Sequence, residues 1–400
     1  MKKLTLTCRL ITPMFMNGAF PGELPELRPS EFKGMLRFWW RALKCESDIS
    51  KLREEEFKIF GGISASNTSK TNSSARRTSV ALLVYPGKEL DISKENVKSE
   101  YQLNWYYDRT EDSLKGKHSG IAYLLYSVIR FKVNKDVDNG QQNTQSEYRD
   151  YLFLKPEQTF KISVSSYDER AFKNAVAALW ASIYLGGFGA RSRRGGGNLE
   201  VTEVEGETCG LNFILNGAND NVKLKEFLTN NLRSIFQIVN SEHGSRQFRA
   251  PYSCLNFRRV SKIIIFPQER SWIDALNKAG EFYRVFRDKH KAKIFDVAVF
   301  GMPIVHRSSK VKIVHTYSDR MASPLIIKVI KAHDDTYFPV FIRLDSKLPE
   351  KIFKVKLKPR ESTDQVGNKA FKFGARTLLD DFFDDLEKQG GVVSITSNDL

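Results

Sequence analysis

The twelve residues GGFGARSRRGGG, 186 to 197, hold six glycines and three arginines and stand directly behind an apolar stretch of helical character. Glycine tolerates positive φ and has no Cβ, so such a loop lets backbone N–H groups come close to a ligand and form concave anion sites. Its setting restricts the choice. Dinucleotide binding needs G-x-G-x-x-G between a strand and the start of a helix, and a P-loop ends in G-K-[ST]. Here the loop follows a helix, precedes the alternating run "NLEVTEVEG" and lacks that ending, so both nucleotide readings fail. The residues leave a helix stop at Gly186, a backbone cradle for phosphate, or an exposed basic loop.

The pattern around the loop points to an α/β fold. Residues 4 to 15 alternate as a strand, and Ser30 stands as an N-cap ahead of "EFKGMLRFWWRALK". On that helix Phe32, Leu36, Trp39 and Leu43 form the core stripe, while Lys33, Arg37 and Arg41 form an adjacent basic one. Trp40 lies at the margin of the basic stripe, either as a core tryptophan or as a platform for a stacked base. The polar run 64 to 79, with Arg76 and Arg77, reads as a mobile loop before the buried strand "VALLVYP"; a second polar run covers 134 to 150. The strand "QTFKISVSSYD", the Ala-rich helix "ERAFKNAVAALWASIYL", ended by a left-handed Gly186, and the strand after the loop complete the order β-α-β-β-α-β. That is the order of a ferredoxin-like (RRM-like) α+β sandwich.

Further helices and strands follow: "KLKEFLTNNLRSIFQIV", "KIIIFP", "WIDALNKAGEFYRVFRDKH", "VKIVHTY", "SPLIIKVIK" and "YFPVFIRL". They suggest a second α/β unit, and 400 residues exceed what one core usually serves. The expected domains are 1–213 and 214–400.

Sixty-three basic against 47 acidic residues give a net charge of +16, which suits a polyanionic partner, either nucleic acid or an anionic membrane face. No run approaches the roughly 20 apolar residues of a membrane span, and the N-terminus alternates instead of forming a signal core. A soluble, cytoplasmic protein is expected. Cys8, Cys45, Cys209 and Cys254 are far apart in sequence and lack C-x-x-C or finger spacing, so they read as scattered reduced thiols. The carboxylates of "TLLDDFFDDLEK" read as a solvated face or a contact to a basic neighbour; neither a metal nor a cofactor is expected.

Within the loop, Gly187, Gly189, Gly195 and Gly197 form G-x-G, five residues, G-x-G, with Arg191, Arg193 and Arg194 between the pairs. This resembles the glycine-rich loop of the RAMP superfamily, the RNA-binding proteins of CRISPR systems. The longer form "LGGFGARSRRGGGNL" is similar to one branch, the first subunit of the type III-B Cmr effector. "TPMFMNGA", "LRPSEFKGMLRFWWRAL", "IFGG", "FGMPIVHR" and "RMASPLIIKVI" agree with it in order, whereas Gly196 stands where the branch carries a larger residue, and the second half has no such loop.

The resemblance implies two ferredoxin-like RAMP domains in tandem with insertions, the second degenerate. It also implies a non-catalytic subunit that holds the 3′ part of the CRISPR RNA, helps capture target RNA in antiviral defence and contacts other Cmr subunits. Lys and Arg supply RNA affinity by neutralising phosphate, and bases stack on aromatic or guanidinium planes. The expected RNA contacts are the four loop glycines, Arg191, Arg193, Arg194, Lys33, Arg37 and Arg41. Arg28 and Arg320, in family-like segments, fit RNA contact and a structural ion pair equally. One loop arginine is open to a structural role.

Two alternatives stand beside this. A metal-free RAMP endoribonuclease needs a base and an acid, commonly His, but His118, His243, His290, His306, His315 and His333 are dispersed. A mainly structural subunit would turn its arginines and acidic helix toward neighbouring proteins.

Overall fold

The computed structural model describes residues 1–64, 74–87, 89–134, 146–240, 251–306, 311–315, 320–332, 335–356 and 370–400. Its first sheet uses β1 (Lys2–Leu10), β2 (Val80–Pro86), β3 (Thr159–Ser166) and β4 (Leu199–Gly206), antiparallel in the order β4-β1-β3-β2. Helices α1 (Pro29–Lys44) and α3 (Glu169–Tyr184) supply the crossovers, and α2 (Ile49–Phe60) follows α1. Leu4, Leu6, Cys8 and Leu10 of β1 are buried with Leu36, Trp39 and Leu43 of α1. The alternation of β1 thus becomes one apolar face on the helices, with Thr5 bonded to Ser163 on the other.

After α4 (Asn221–Ile238) the order repeats. Strand β5 (Lys262–Ile265), helix α5 (Trp272–Lys289), strands β6 (Leu325–Lys331) and β7 (Tyr337–Arg343), helix α6 (Leu378–Glu387) and strand β8 (Val393–Ile395) build a sheet ordered β6-β7-β5-β8. Matched by chain order, this is the same topology as the first sheet. The fold is therefore two ferredoxin-like βαββαβ units in tandem, as the family resemblance implies.

The apolar core does not divide at the expected boundary. Ile264, Ile327 and Phe341 pack with α5 and α6, while Ile263, Ile265, Ile326 and Val340 on the opposite face join the core of the first unit. Helix α3, buried from Ala171 to Tyr184 except at Lys173, lies inside that shared core, as a helix apolar on all sides must.

Several local expectations change. Helix α1 starts at Pro29, which fixes φ for the first turn, so Arg28 takes the N-cap place without a side-chain cap and Ser30 is helical. Strand β2 is an edge strand with Leu83 and Tyr85 exposed, so it is half-buried. The polar runs begin and end as paired strands, Gly62–Ser64 with Ser74–Arg76 and Arg130–Asn134 with Ser146–Asp150; their middles, 65–73 and 135–145, lie outside the described residues. On α6 the carboxylates have internal partners: Asp380 holds Arg343 at 2.6 Å, and Asp381 and Asp384 hold Arg376. No helix among the described residues is long and apolar enough to cross a membrane.

The short helix Ser119–Leu125 lies on α5 at glycine contact distance. A Cβ on Gly280 would sit 2.7 Å from Gly120 Cα, and Gly120 N–H donates to Asn277 Oδ1 at 3.1 Å. Gly280→Ala should therefore destabilise the protein by about 1–3 kcal/mol in urea denaturation through overpacking. Gly34→Ala, at a helical position with nothing within 4 Å, should leave the midpoint unchanged or raise it.

Candidate nucleic-acid interface

The glycine-rich loop runs from the end of α3 into the edge strand β4, and it lies against β6, the edge strand of the second sheet. Ile327 N–H donates to Arg193 O at 3.1 Å, which seats the loop on the free edge of that sheet. Asn198, wholly buried, joins the segments. Its N–H donates to Thr12 Oγ1 (2.9 Å) and its Oδ1 accepts from Val329 N–H (2.8 Å), while Ile11 N–H donates to its carbonyl (2.8 Å).

The glycines serve the loop's own packing. Gly189 (φ +81) and Gly197 (φ +62) hold positive φ, and added Cβ atoms would meet Phe15 O at 2.8 Å and Phe188 O respectively. Gly187 lies against Gly196 O, and Gly195 against Leu276 of α5. Gly186 does not take the left-handed conformation: α3 ends at Leu185 in the right-handed region, and Gly186 is small because the Trp39 indole sits against it. Phe188, Ala190, Arg194, Gly196 and Gly197 all donate their N–H groups to carbonyls of the chain, and Gly189 N–H bonds the Glu31 carboxylate. Most of the backbone donors that a phosphate cradle needs are thus engaged internally.

The three arginines also face inward. Arg193 donates to Ser323 O and covers the Phe38 ring at 4.9 Å. Arg194 donates from Nη1 to Leu325 O (2.7 Å) and from Nη2 to Phe300 O (3.3 Å), with its guanidinium 5.0 Å from the Tyr283 ring. Arg191, itself at φ +62, stacks on Tyr126 at 4.6 Å, and its Nε and Nη2 are buried without a hydrogen-bond partner. The expected open basic surface is instead a cationic seam between the two units. Carbonyls at the start of β6 attract the guanidinium groups there, which sequence spacing does not show.

The basic stripe of α1 is likewise divided. Arg37 and Arg41 both bond Glu56 Oε1 on α2, at 2.6 and 2.7 Å, and Arg37 also donates to Gly61 O. Glu56 is almost fully buried, so two guanidinium groups neutralise one enclosed carboxylate. Lys33 makes no ion pair among the described residues and borders a cleft of about 320 Å³ with Pro29, Ser30 and Thr78. Its pKa is lowered by burial and by neighbouring Arg37. Arg28 is exposed and donates to Asn17 O, while Arg320 is exposed beside the Met302–Met321 bridge. Trp40 is a core tryptophan whose Nε1 donates to buried Asn174 Oδ1 at 2.7 Å.

A second cleft, of about 200 Å³, opens between α1 and the loop, lined by Met35, Phe38, Trp39, Gly187, Ser192 and Arg193. Trp39 Nε1 is buried there without a hydrogen-bond partner. A phenyl ring, a guanidinium plane and a serine hydroxyl meet in this one cleft, with the enclosed Trp39 indole behind them. The pattern did not single out Trp39 because its place on the core stripe accounts for its burial, and nothing in the pattern reports the missing partner.

Lys328 is the other residue the pattern leaves out. It alternates with Ile326 and Ile330 on the face of β6 turned toward the first unit, where Nζ donates to Ile183 O (2.5 Å) and Gly186 O (3.1 Å) at the C-terminal end of α3. These are helix-end carbonyls that have no partner within the helix, and a cation there opposes the helix dipole. Burial nevertheless pushes the Lys328 ammonium from 10.5 down to about 7.

Two outcomes follow from this seam. Arg194→Ala should lower stability by roughly 2–4 kcal/mol in urea denaturation, because buried carbonyls lose charged donors. Between pH 7 and 10.5 the unfolded chain keeps a Lys328 proton that the folded chain has released, so stability should rise with pH across that window. Lys328→Met should flatten that rise, read from denaturation midpoints at its two ends.

Comparison with known proteins agrees with this geometry. The model of the RAMP superfamily matches residues 7–200, from within β1 through the loop to the start of β4. The chain is 35% identical over 195 residues to the CRISPR system Cmr subunit Cmr1-2 of Pyrococcus furiosus, covering 48% of this chain and 90% of that protein. It is 26% identical over 324 residues to Cmr subunit Cmr1-1 of the same organism, 79% of each. The crystal structure of Cmr1 from Pyrococcus furiosus in its apo form shares the fold with a TM-score of 0.59 at 19% identity, over 99% of each chain. A chain from the cryo-EM structure of a type III-B Cmr-beta complex bound to cognate target RNA gives a TM-score of 0.52 at 14% identity, over 86% of this chain and 94% of that one. With loop, tandem sheets and relatives in agreement, the chain belongs to the RAMP superfamily and, within it, to the family of the first subunit of the type III-B Cmr complex.

Proposed function

We propose that this chain is a non-catalytic RNA-binding subunit of a type III-B effector complex, holding the 3′ part of the CRISPR RNA and helping to capture target RNA beside other Cmr subunits. The cleft between α1 and the glycine-rich loop carries the reading. Phe38 lies under the Arg193 guanidinium and Ser192 adds a hydroxyl, with the enclosed Trp39 indole packed behind them. A ring, a guanidinium plane and a hydroxyl suit a nucleobase, whose faces stack and whose edges form hydrogen bonds. Lys33 and the exposed Arg28, near the start of α1, provide charge for phosphates. The Cmr-beta complex with target RNA lends the reading an assembly of matching fold.

The ribonuclease alternative has less support among the described residues. His118 Nδ1 accepts from Asn104 N–H at 2.9 Å, and His290 Nδ1 sits 2.9 Å from Phe286 O, so each is held in local structure. Neither lines the cleft. His243 and His333 lie outside the described residues.

Filter binding of labelled single-stranded RNA against salt tests the proposal. Arg28→Ala and Lys33→Ala should each lower affinity and reduce the salt slope by about one unit for every phosphate that is no longer neutralised. Trp39→Phe should leave both affinity and slope unchanged, because it removes no charge and no accessible donor. Unchanged slopes in both cation variants, or RNA cleavage without metal that a single His→Ala change abolishes, overturn it.

A further inference from the structure

Cys45 and Cys254 are 209 positions apart in sequence, yet their Sγ atoms lie 3.2 Å from one another. Cys45 ends α1 in the left-handed conformation, with its N–H on Arg41 O at 3.2 Å. Cys254 precedes β5 and pairs with Asp345 through two backbone bonds of 2.8 Å each. Both side chains are fully buried, with Tyr252 packed against them and its hydroxyl bonded to Glu46 O at 2.8 Å. The backbones on both sides are therefore fixed, and the two sulfurs face each other across the boundary between the units.

We propose that Cys45 and Cys254 are a latent disulfide that ties the end of α1 to the second unit when the protein meets a peroxide. One thiolate attacks a peroxide oxygen, the O–O bond breaks and hydroxide leaves, giving a sulfenic acid. The second sulfur then displaces water from it. Overall, two S–H bonds and one O–O bond are broken, and one S–S bond and two waters form. Closure shortens the separation from 3.2 Å to about 2.05 Å. The neighbouring thiol and burial raise the Cys254 pKa, so reaction in the folded protein is slow and selective for a small uncharged oxidant. Cys8 is buried and Cys209 half-buried, and neither has such a neighbour among the described residues.

The test uses the full chain treated with hydrogen peroxide, quenched, denatured and assayed for free thiols and for linked peptides by mass spectrometry. The reduced protein should give four thiols and the treated protein two, with one peptide pair joining Cys45 to Cys254 that reductant separates. The cross-linked form should melt at a higher temperature than the reduced form, since the bond restrains a long loop of the unfolded chain. Cys45→Ala should yield no linked pair; if it fails to fold, Cys254→Ala serves as the same control. Four surviving thiols, links through Cys8 or Cys209, or separate oxidation of Cys45 and Cys254 overturn the proposal.

Discussion

The edge-to-edge junction between the loop and β6 sets the geometry of the molecule. Each ferredoxin-like sheet has an unprotected edge there, and two exposed edges invite wrong pairings. The glycine-rich loop closes one of them: Arg193 O receives Ile327 N–H, Asn198 receives Val329 N–H, and Arg194 collects carbonyls of the second unit. Lys328 crosses the other way to the end of α3. Since donors and acceptors come from both units, one cannot shift against the other without leaving buried polar groups unpaired, at about 1–3 kcal/mol each. The cleft beside Trp39 borrows Ile326 from the second unit, so its shape depends on the same junction.

Glycine density and positive charge have separate physical causes in this loop. The glycines answer steric demand, because Phe15, Phe188, Trp39 and Leu276 approach where a Cβ belongs. The arginines answer electrostatic demand from carbonyls and from the faces of Phe38, Tyr126 and Tyr283. A stack on an aromatic face satisfies a guanidinium without a carboxylate, which is why a segment with three cations lies inside the protein with no acid among the partners of Arg193 and Arg194. The net charge of +16 therefore overstates what this loop offers a polyanion.

Periodicity made the element order legible, because burial on one face repeats along each strand and helix. Thus β1, α1, α3, β5, α5, β6, β7 and α6 follow from alternation and stripes, while the three-residue β8 carries no such signal. Contacts between elements were not legible. Arg37 and Arg41 look like a solvent-facing pair until Glu56 of α2 is brought beside them. Lys328 looks like a solvent-facing lysine until β6 proves to be buried on both faces. Cys45 and Cys254 look unrelated for the same reason, since only the folded chain brings them together. The family resemblance pointed to the loop that seats on β6, but a motif records which residues recur and not whether they meet ligand or protein.

On the proposed reading, RNA binding in this architecture is indirect at its centre and direct at its edge. The loop arginines line the cleft and bond the second unit, whereas the exposed Arg28 and the half-buried Lys33, near the start of α1, are the cations this reading gives to the ligand. A change in Arg193 or Arg194 acts first on the position of β6 and on stability, and on that reading reaches RNA only through them. A change in Lys33 acts through charge and leaves the seam intact. What separates Lys33 from the loop arginines is that the chain already supplies carbonyl partners to Arg193 and Arg194, while Lys33 has no ion pair among the described residues.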